Sequence, residues 1–197
     1  IKFLIPGTLV DEIILAKPIK NVKDGIYCEL SQIISASNLR VKEDCDQFLK
    51  CGGCDFRHVN NNWIQSWKIN QLKQKTKLLV NPNKIFPIAI SNNHSRRRAT
   101  FSAAYHNKKL FLGFKSKFST KIINLDTCKT LEKELIRIYL FFRDNLGSVI
   151  KINFKFTIHI NLLDNGSDIV FNLEKHSHDK IFEIDNLISL LTSAKIL

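Results

Sequence analysis

The chain of 197 residues contains no methionine and only seven glycines and four prolines, and its first residue is Ile1. With no Met at the start or anywhere else, the native N-terminus is expected upstream, and the sequence is read as a fragment. No apolar run approaches the roughly 20 residues that span a bilayer. The opening IKFLIPGTLV lacks the succession of basic, apolar and small residues that marks an export signal. A soluble, monomeric, cytoplasmic protein with no membrane partner is expected. There, five cysteines serve as reduced thiols or metal ligands rather than as a disulfide framework.

A second absence is local. From Phe56 to Leu125 there is no Asp or Glu, yet Arg57, Lys68, Lys73, Lys75, Arg96, Arg97, Arg98, Lys108, Lys109, Lys115, Lys117 and Lys121 all fall there. A segment of one sign repels itself unless a polyanion is near, and phosphate backbones are the usual partner. A compositional bias toward Ile, Lys and Asn would explain the lysines. It would not explain the missing acids or three consecutive arginines, so nucleic-acid binding is favoured over a merely solvated basic face. The sequence also lacks internal repeats, low-complexity linkers and a glycine-rich cofactor loop after a strand.

What is present reads as α+β. Residues 1–42 suggest short strands, KFLIP, TLVDEIILAK and IYCELSQII, separated by turn signals at Pro6-Gly7 and NVKDG, as in part of a small β-barrel. NNNWIQSWKINQLKQKTKLLV predicts a helix ending before Asn81-Pro82, with Trp63, Trp67 and Leu72 on one face and the tryptophans packing against a neighbouring domain, a face left exposed where that domain is absent. RRRATFSAAYH and KKLFLGFK predict a hairpin turning at Asn107, and KIINL a further strand. KTLEKELIRIYLFFRDNLGS predicts a helix with Leu131, Leu135, Ile138, Phe142 and Leu146 inward and Gly147 as its stop. VIKINFKFTIHINLL, a turn at Asp164-Asn165-Gly166 and SDIVFNL predict a second hairpin, and IFEIDNLISLLTSAK a last helix.

Cys45, Cys51 and Cys54 form a C-x5-C-G-G-C cluster, which suits an ion that needs thiolates converging on one centre. Paired glycines let backbone wrap such a centre without Cβ clashes and leave N–H groups free to point at sulfur. The fourth ligand is either Cys28 or Cys128. Cys28 sits within a strand pattern, where a lone cysteine is usually a core residue; Cys128 lies between a strand and the long helix. Three clustered thiols and a remote one favour iron–sulfur over zinc, for which His58 could replace a thiol.

These blocks, together with Trp67-Lys68, Arg96-Arg97-Arg98-Ala99, Leu112-Gly113-Phe114, Ser119 and LLDNGSDIVF, resemble the iron–sulfur-containing RNA (uracil-5-)-methyltransferases that modify 23S ribosomal RNA. The resemblance runs through nearly the whole chain. It departs at Arg57, where the family has Gln, at Thr120, where it has His, and at Asn124, where it has Asp. It implies that residues 1–42 are the C-terminal part of a TRAM domain, an OB-like RNA-binding barrel. Residues 43–197 would be a central RNA-recognition domain holding a [4Fe–4S] cluster through Cys45, Cys51, Cys54 and Cys128.

The family's chemistry is methyl transfer from S-adenosylmethionine to C5 of a flipped-out uracil, after a cysteine thiolate adds at C6. The residues for those steps, and for S-adenosylmethionine, would lie in a catalytic domain beyond Leu197. This chain alone is expected to be inactive, with no catalytic residue and with Cys128 not the nucleophile. Arg96 and Arg98 are the residues expected to contact RNA, since alternate side chains of a strand entry share a face. The rival reading is a non-catalytic, cysteine-ligated RNA-binding module holding iron–sulfur or zinc.

Overall fold

The computed structural model describes residues 1–79, 81, 84–150, 152–173 and 184–193. They fall into two compact units, one of residues 1–49 and 54–90, the other of residues 50–53 and 91–197. The segment 54–90 clusters with the N-terminal strands. The architecture is α+β, with two sheets and three helices among the described residues. No helix among them is long and apolar enough to cross a membrane.

The first unit is built on a three-stranded sheet in the order β1-β3-β2. β2 (Ile13–Val22) and β3 (Gly25–Ser35) form an antiparallel hairpin, and β1 (Phe3–Leu4) pairs parallel to β3. β2 starts five residues later than its sequence pattern suggests because the chain turns at Asp11, whose φ of 62° breaks an extended run. Its register against β3 shifts three times, after Ile13, Leu15 and Pro18. Helix α1 (Asn61–Thr76) begins where the Asn60 side chain accepts hydrogen bonds from the backbone N–H groups of Asn62 and Trp63. On α1 Ile64 alone is buried, while Trp67 and Leu72 stay partly exposed. Trp63 stacks on Trp67 at 6.2 Å between centroids, and Phe56 lies 5.5 Å from Trp67.

The second unit holds a five-stranded antiparallel sheet in the order β6-β5-β4-β7-β8. β4 (Arg98–His106) and β5 (Lys109–Lys115) are joined by Asn107 and Lys108, both at positive φ, 51° and 60°. That is the backbone a two-residue hairpin requires. β6 is only Ile122–Ile123. β7 (Phe154–Leu163) and β8 (Gly166–Leu173) close at Asp164-Asn165, with Leu163 opposite Gly166.

Helix α2 (Lys133–Asn145) buries Leu135, Ile138, Tyr139 and Phe142 against Phe101, Leu112, Phe156, Ile158 and Ile160 of the sheet. The Tyr139 hydroxyl donates to the Leu112 carbonyl at 2.8 Å and accepts from the Leu125 N–H at 2.9 Å, so its one buried polar atom is satisfied twice. α2 starts later than its apolar periodicity suggests. His94 and Arg96 donate to the carbonyls of Lys129 and Thr130, and Glu132 donates back to Arg96, which holds residues 129–132 extended. Leu131 reaches the core from that extended segment. A 3-10 turn, Leu146–Val149, follows α2, so Gly147 lies within a turn and β7 is shorter than its pattern. Helix α3 (Ile184–Ser193) packs Leu187, Leu190 and Leu191 on the same core. The parts of the predicted last helix at 181–183 and 194–195 lie outside the described residues.

Candidate RNA interface and cysteine cluster

The sulfur-bearing positions divide between the units. Cys45 and Cys54 belong to the first, Cys51 and Cys128 to the second, and none of the five cysteines is in a disulfide. Cys28 is 2% exposed within β3, as expected of a core thiol. Cys51 bridges to Ser116, and Gly52 donates its N–H to the Lys115 carbonyl at 2.9 Å, so this short stretch runs along the end of β5. A Cβ at Gly52 would lie 2.8 Å from that carbonyl oxygen, closer than a side chain tolerates. The Gly53 N–H points at Cys51 Sγ, 3.4 Å away. Cys128 is half-buried against the core of the second unit. In the first unit Arg57 reaches Asp44. Burial opposes its charge, but the Cys54 sulfur and the Asp44 carboxylate outweigh that and raise its pKa. Among the described residues, no group of three or more His, Cys, Asp or Glu side chains comes together in an arrangement that could hold a metal ion. A preformed metal centre of converged thiols is therefore not seen.

His58 is 4% exposed, and neither ring nitrogen has a hydrogen-bond partner. It packs against Phe48 at 5.1 Å. Desolvation, then the nearby Arg40 guanidinium, push its pKa below the usual imidazole range, so the ring is neutral. The nearby Thr8 backbone, which makes no hydrogen bond of regular geometry with the ring, and the Glu12 and Glu43 carboxylates pull the other way.

The three arginines do different things. Arg97 is engaged in surface ion pairs, its Nη1 2.8 Å from Asp164 and its Nε 3.5 Å from Glu132. Arg96 donates Nε to the Arg98 carbonyl at 3.1 Å. Arg96 and Arg98 are exposed and form no ion pair among the described residues. Strand alternation thus leaves the outer two arginines available to an anion and commits the middle one.

Two exposed groups were not singled out by the sequence pattern. His159 on β7 sits opposite Thr100 on β4, and its ring is held by both nitrogens, Nδ1 to Thr100 Oγ1 at 2.9 Å and Nε2 to Thr157 Oγ1 at 3.3 Å. Phe111 on β5 is 38% exposed, with Lys109 Nζ 5.5 Å from its ring centroid. Both lie at alternating positions that read as an ordinary solvated strand face. Only the cross-strand register brings them into one surface.

No protein-family model matches the chain. It is 31% identical over 136 residues to the 23S rRNA (uracil(1939)-C(5))-methyltransferase RlmD of Shewanella sediminis, spanning 66% of this chain and 31% of that protein. With the protein of the same name from Marinomonas sp. it shares 27% identity over 184 residues, 90% of this chain and 40% of the relative. The chain is homologous to 23S rRNA (uracil-C5)-methyltransferases. It spans well under half the length of these methyltransferase relatives. The fold is also that of part of a solved structure, the Pyrococcus abyssi tRNA (uracil-54, C5)-methyltransferase in complex with S-adenosyl-L-homocysteine. The match has a TM-score of 0.55 and 21% identity over 88% of this chain and 43% of that one.

Proposed function

We propose that this chain is the RNA-recognition part of an S-adenosylmethionine-dependent methyltransferase that methylates C5 of a uridine in 23S rRNA. The observation that carries this reading is the sequence relation to methyltransferases of that name over as much as 90% of the chain. The acid-free stretch from Phe56 to Leu125 and the unpaired Arg96 and Arg98 support RNA as the partner. In this reading residues 1–42, with β1 to β3, are the end of an OB-like TRAM domain. Residues 43–197 form the central domain, and the groups that bind S-adenosylmethionine and perform the chemistry belong to a part of the protein outside this chain.

Cys45, Cys51, Cys54 and Cys128 are proposed to supply the thiolates of a [4Fe–4S] cluster. The donor set is all sulfur, and the Gly53 N–H aimed at Cys51 Sγ is the kind of outer hydrogen bond that steadies a ligating thiolate. Thiolates repel one another, so such a set closes around its inorganic centre rather than ahead of it. The cluster would serve architecture, and no step of methyl transfer is assigned to it.

The deciding experiment incubates the protein isolated from its native cells with methyl-labelled S-adenosylmethionine and unmodified 23S rRNA. Label recovered as 5-methyluridine supports the proposal. RNA retention without label would leave the non-catalytic RNA-binding module, and neither retention nor label would reject both.

A further inference from the structure

We propose that the solvent face of the β4-β5-β7-β8 sheet is a platform for unpaired RNA, with Phe111 and His159 as its two base-stacking groups. This deepens the RNA-recognition reading above and rests on it.

One face of the sheet is closed by α2, and the other is open to water. On the open face β4 presents Arg98, Thr100, Ser102 and Ala104, and the register sets small side chains down the middle. Ala104 lies between Phe111 and Lys155, and Thr100 stands beside His159. The result is a shallow trough along β4, flanked by rings and cations on the neighbouring strands. From β5 to β7 is two strand spacings, about 10 Å, and from Thr100 to Ala104 is about 13 Å along the strand. Two rings offset by those amounts are separated by roughly two to three nucleotide steps of an extended single strand.

The rings are suited to stacking. His159 has both nitrogen edges occupied by threonine hydroxyls of the sheet, so the ring is fixed and its π-face is what remains to offer. Phe111 is 38% exposed on the open face, with Lys109 Nζ 5.5 Å from its ring centroid. Charge selects the occupant. Arg98, Lys109, Lys115 and Lys155 ring the trough, and Asp168 is the one acidic residue within the five strands. Fixed rings, hydroxyls at the floor and cations at the margin match a single nucleic-acid strand, whose bases stack and whose phosphates pair. A protein partner would need a larger apolar centre.

The test measures fluorescence anisotropy of a labelled, unpaired oligouridylate titrated with the 197-residue chain. Phe111→Leu and His159→Ala should each weaken binding about tenfold, the loss of one base stack, while Phe111→Tyr binds like the parent. Lys155→Gln should weaken binding and flatten the log–log salt slope by about 0.7. Urea midpoints measured alongside show that each variant is folded under the binding conditions, so that lost binding is not lost folding. The platform is overturned if Phe111→Leu, His159→Ala and Lys155→Gln all bind like the parent, whatever Lys73→Gln on α1 does; the methyltransferase reading then stands. A parent that binds no RNA overturns the platform and removes support for the RNA-recognition role as well. A parent that elutes as a dimer, split by Phe111→Leu, would give the face to a second copy and overturn the proposal.

Discussion

Arg40 holds Glu12 through two parallel hydrogen bonds, Nε to Oε1 at 2.6 Å and Nη2 to Oε2 at 2.8 Å. The same carboxylate accepts the N–H groups of Leu9 and Ser37, so one acidic side chain fastens the turn before β2 to the segment after β3. Glu12→Gln keeps the shape but removes the charge and one acceptor, leaving Arg40 underpaired. We expect a loss of about 2–3 kcal/mol, read from urea unfolding of the first unit by Trp63 and Trp67 fluorescence. A loss indistinguishable from that of an exposed control such as Glu29→Gln would show that the pair does not stabilise the unit.

Acid should weaken this unit in two stages. His58 has its pKa lowered from 6.5, so the folded state resists a proton that the unfolded chain accepts, and stability falls as pH drops below about 6.5. Glu12 is lowered from 4.5 to about 2, chiefly by the Arg40 hydrogen bond, so its contribution is complete above 4.5 and is lost as pH falls toward 2. Replacing an imidazole that satisfies neither nitrogen with a ring of similar size, His58→Phe, should remove the first stage and raise neutral-pH stability by about 1 kcal/mol. A first stage that survives in His58→Phe would assign it to another group.

Tyr139→Phe removes one buried oxygen that serves both Leu112 and Leu125. The Leu125 N–H, in a residue only 2% exposed, loses its acceptor. A destabilisation of about 2 kcal/mol is expected in thermal unfolding followed by far-UV circular dichroism. An unchanged midpoint would mean that Leu125 finds another partner.

Iron and sulfide supplied anaerobically should give a brown protein with broad visible absorbance and equal iron and acid-labile sulfide. Cys128→Ser should abolish the colour, and Cys28→Ser, in the core of β3, should leave it unchanged. A colourless protein holding a single zinc would reject the iron–sulfur proposal.

Period and turn chemistry made most elements legible. Leu135, Ile138 and Phe142 face inward as their spacing requires, and both hairpins of the second unit turn where polar residues interrupt alternation. What was not legible depended on partners distant in sequence. Leu131 has helical spacing, yet pairing with Arg96 keeps it extended; Trp67 shares its helix face with Leu72, yet its ring contacts are Trp63 and Phe56. The cysteine spacing was plain to read, whereas convergence of the sulfurs is a property of geometry that spacing does not supply. His159 and Phe111 were invisible because a platform is defined across strands.

β2 is the outermost strand of its sheet, and Ile13, Leu15 and Ile19 on it are about half exposed. Left regular, ten such residues would invite a second molecule to zip onto the open side. Pro18 withholds an amide from that row, lysines 17 and 20 bracket it with like charge, and the slips in register bend it out of line. Pro18→Val would restore one amide to that margin while the lysines and the slips remain, so the proline that looks like an imperfection in the sheet is one of three guards against edge-to-edge pairing.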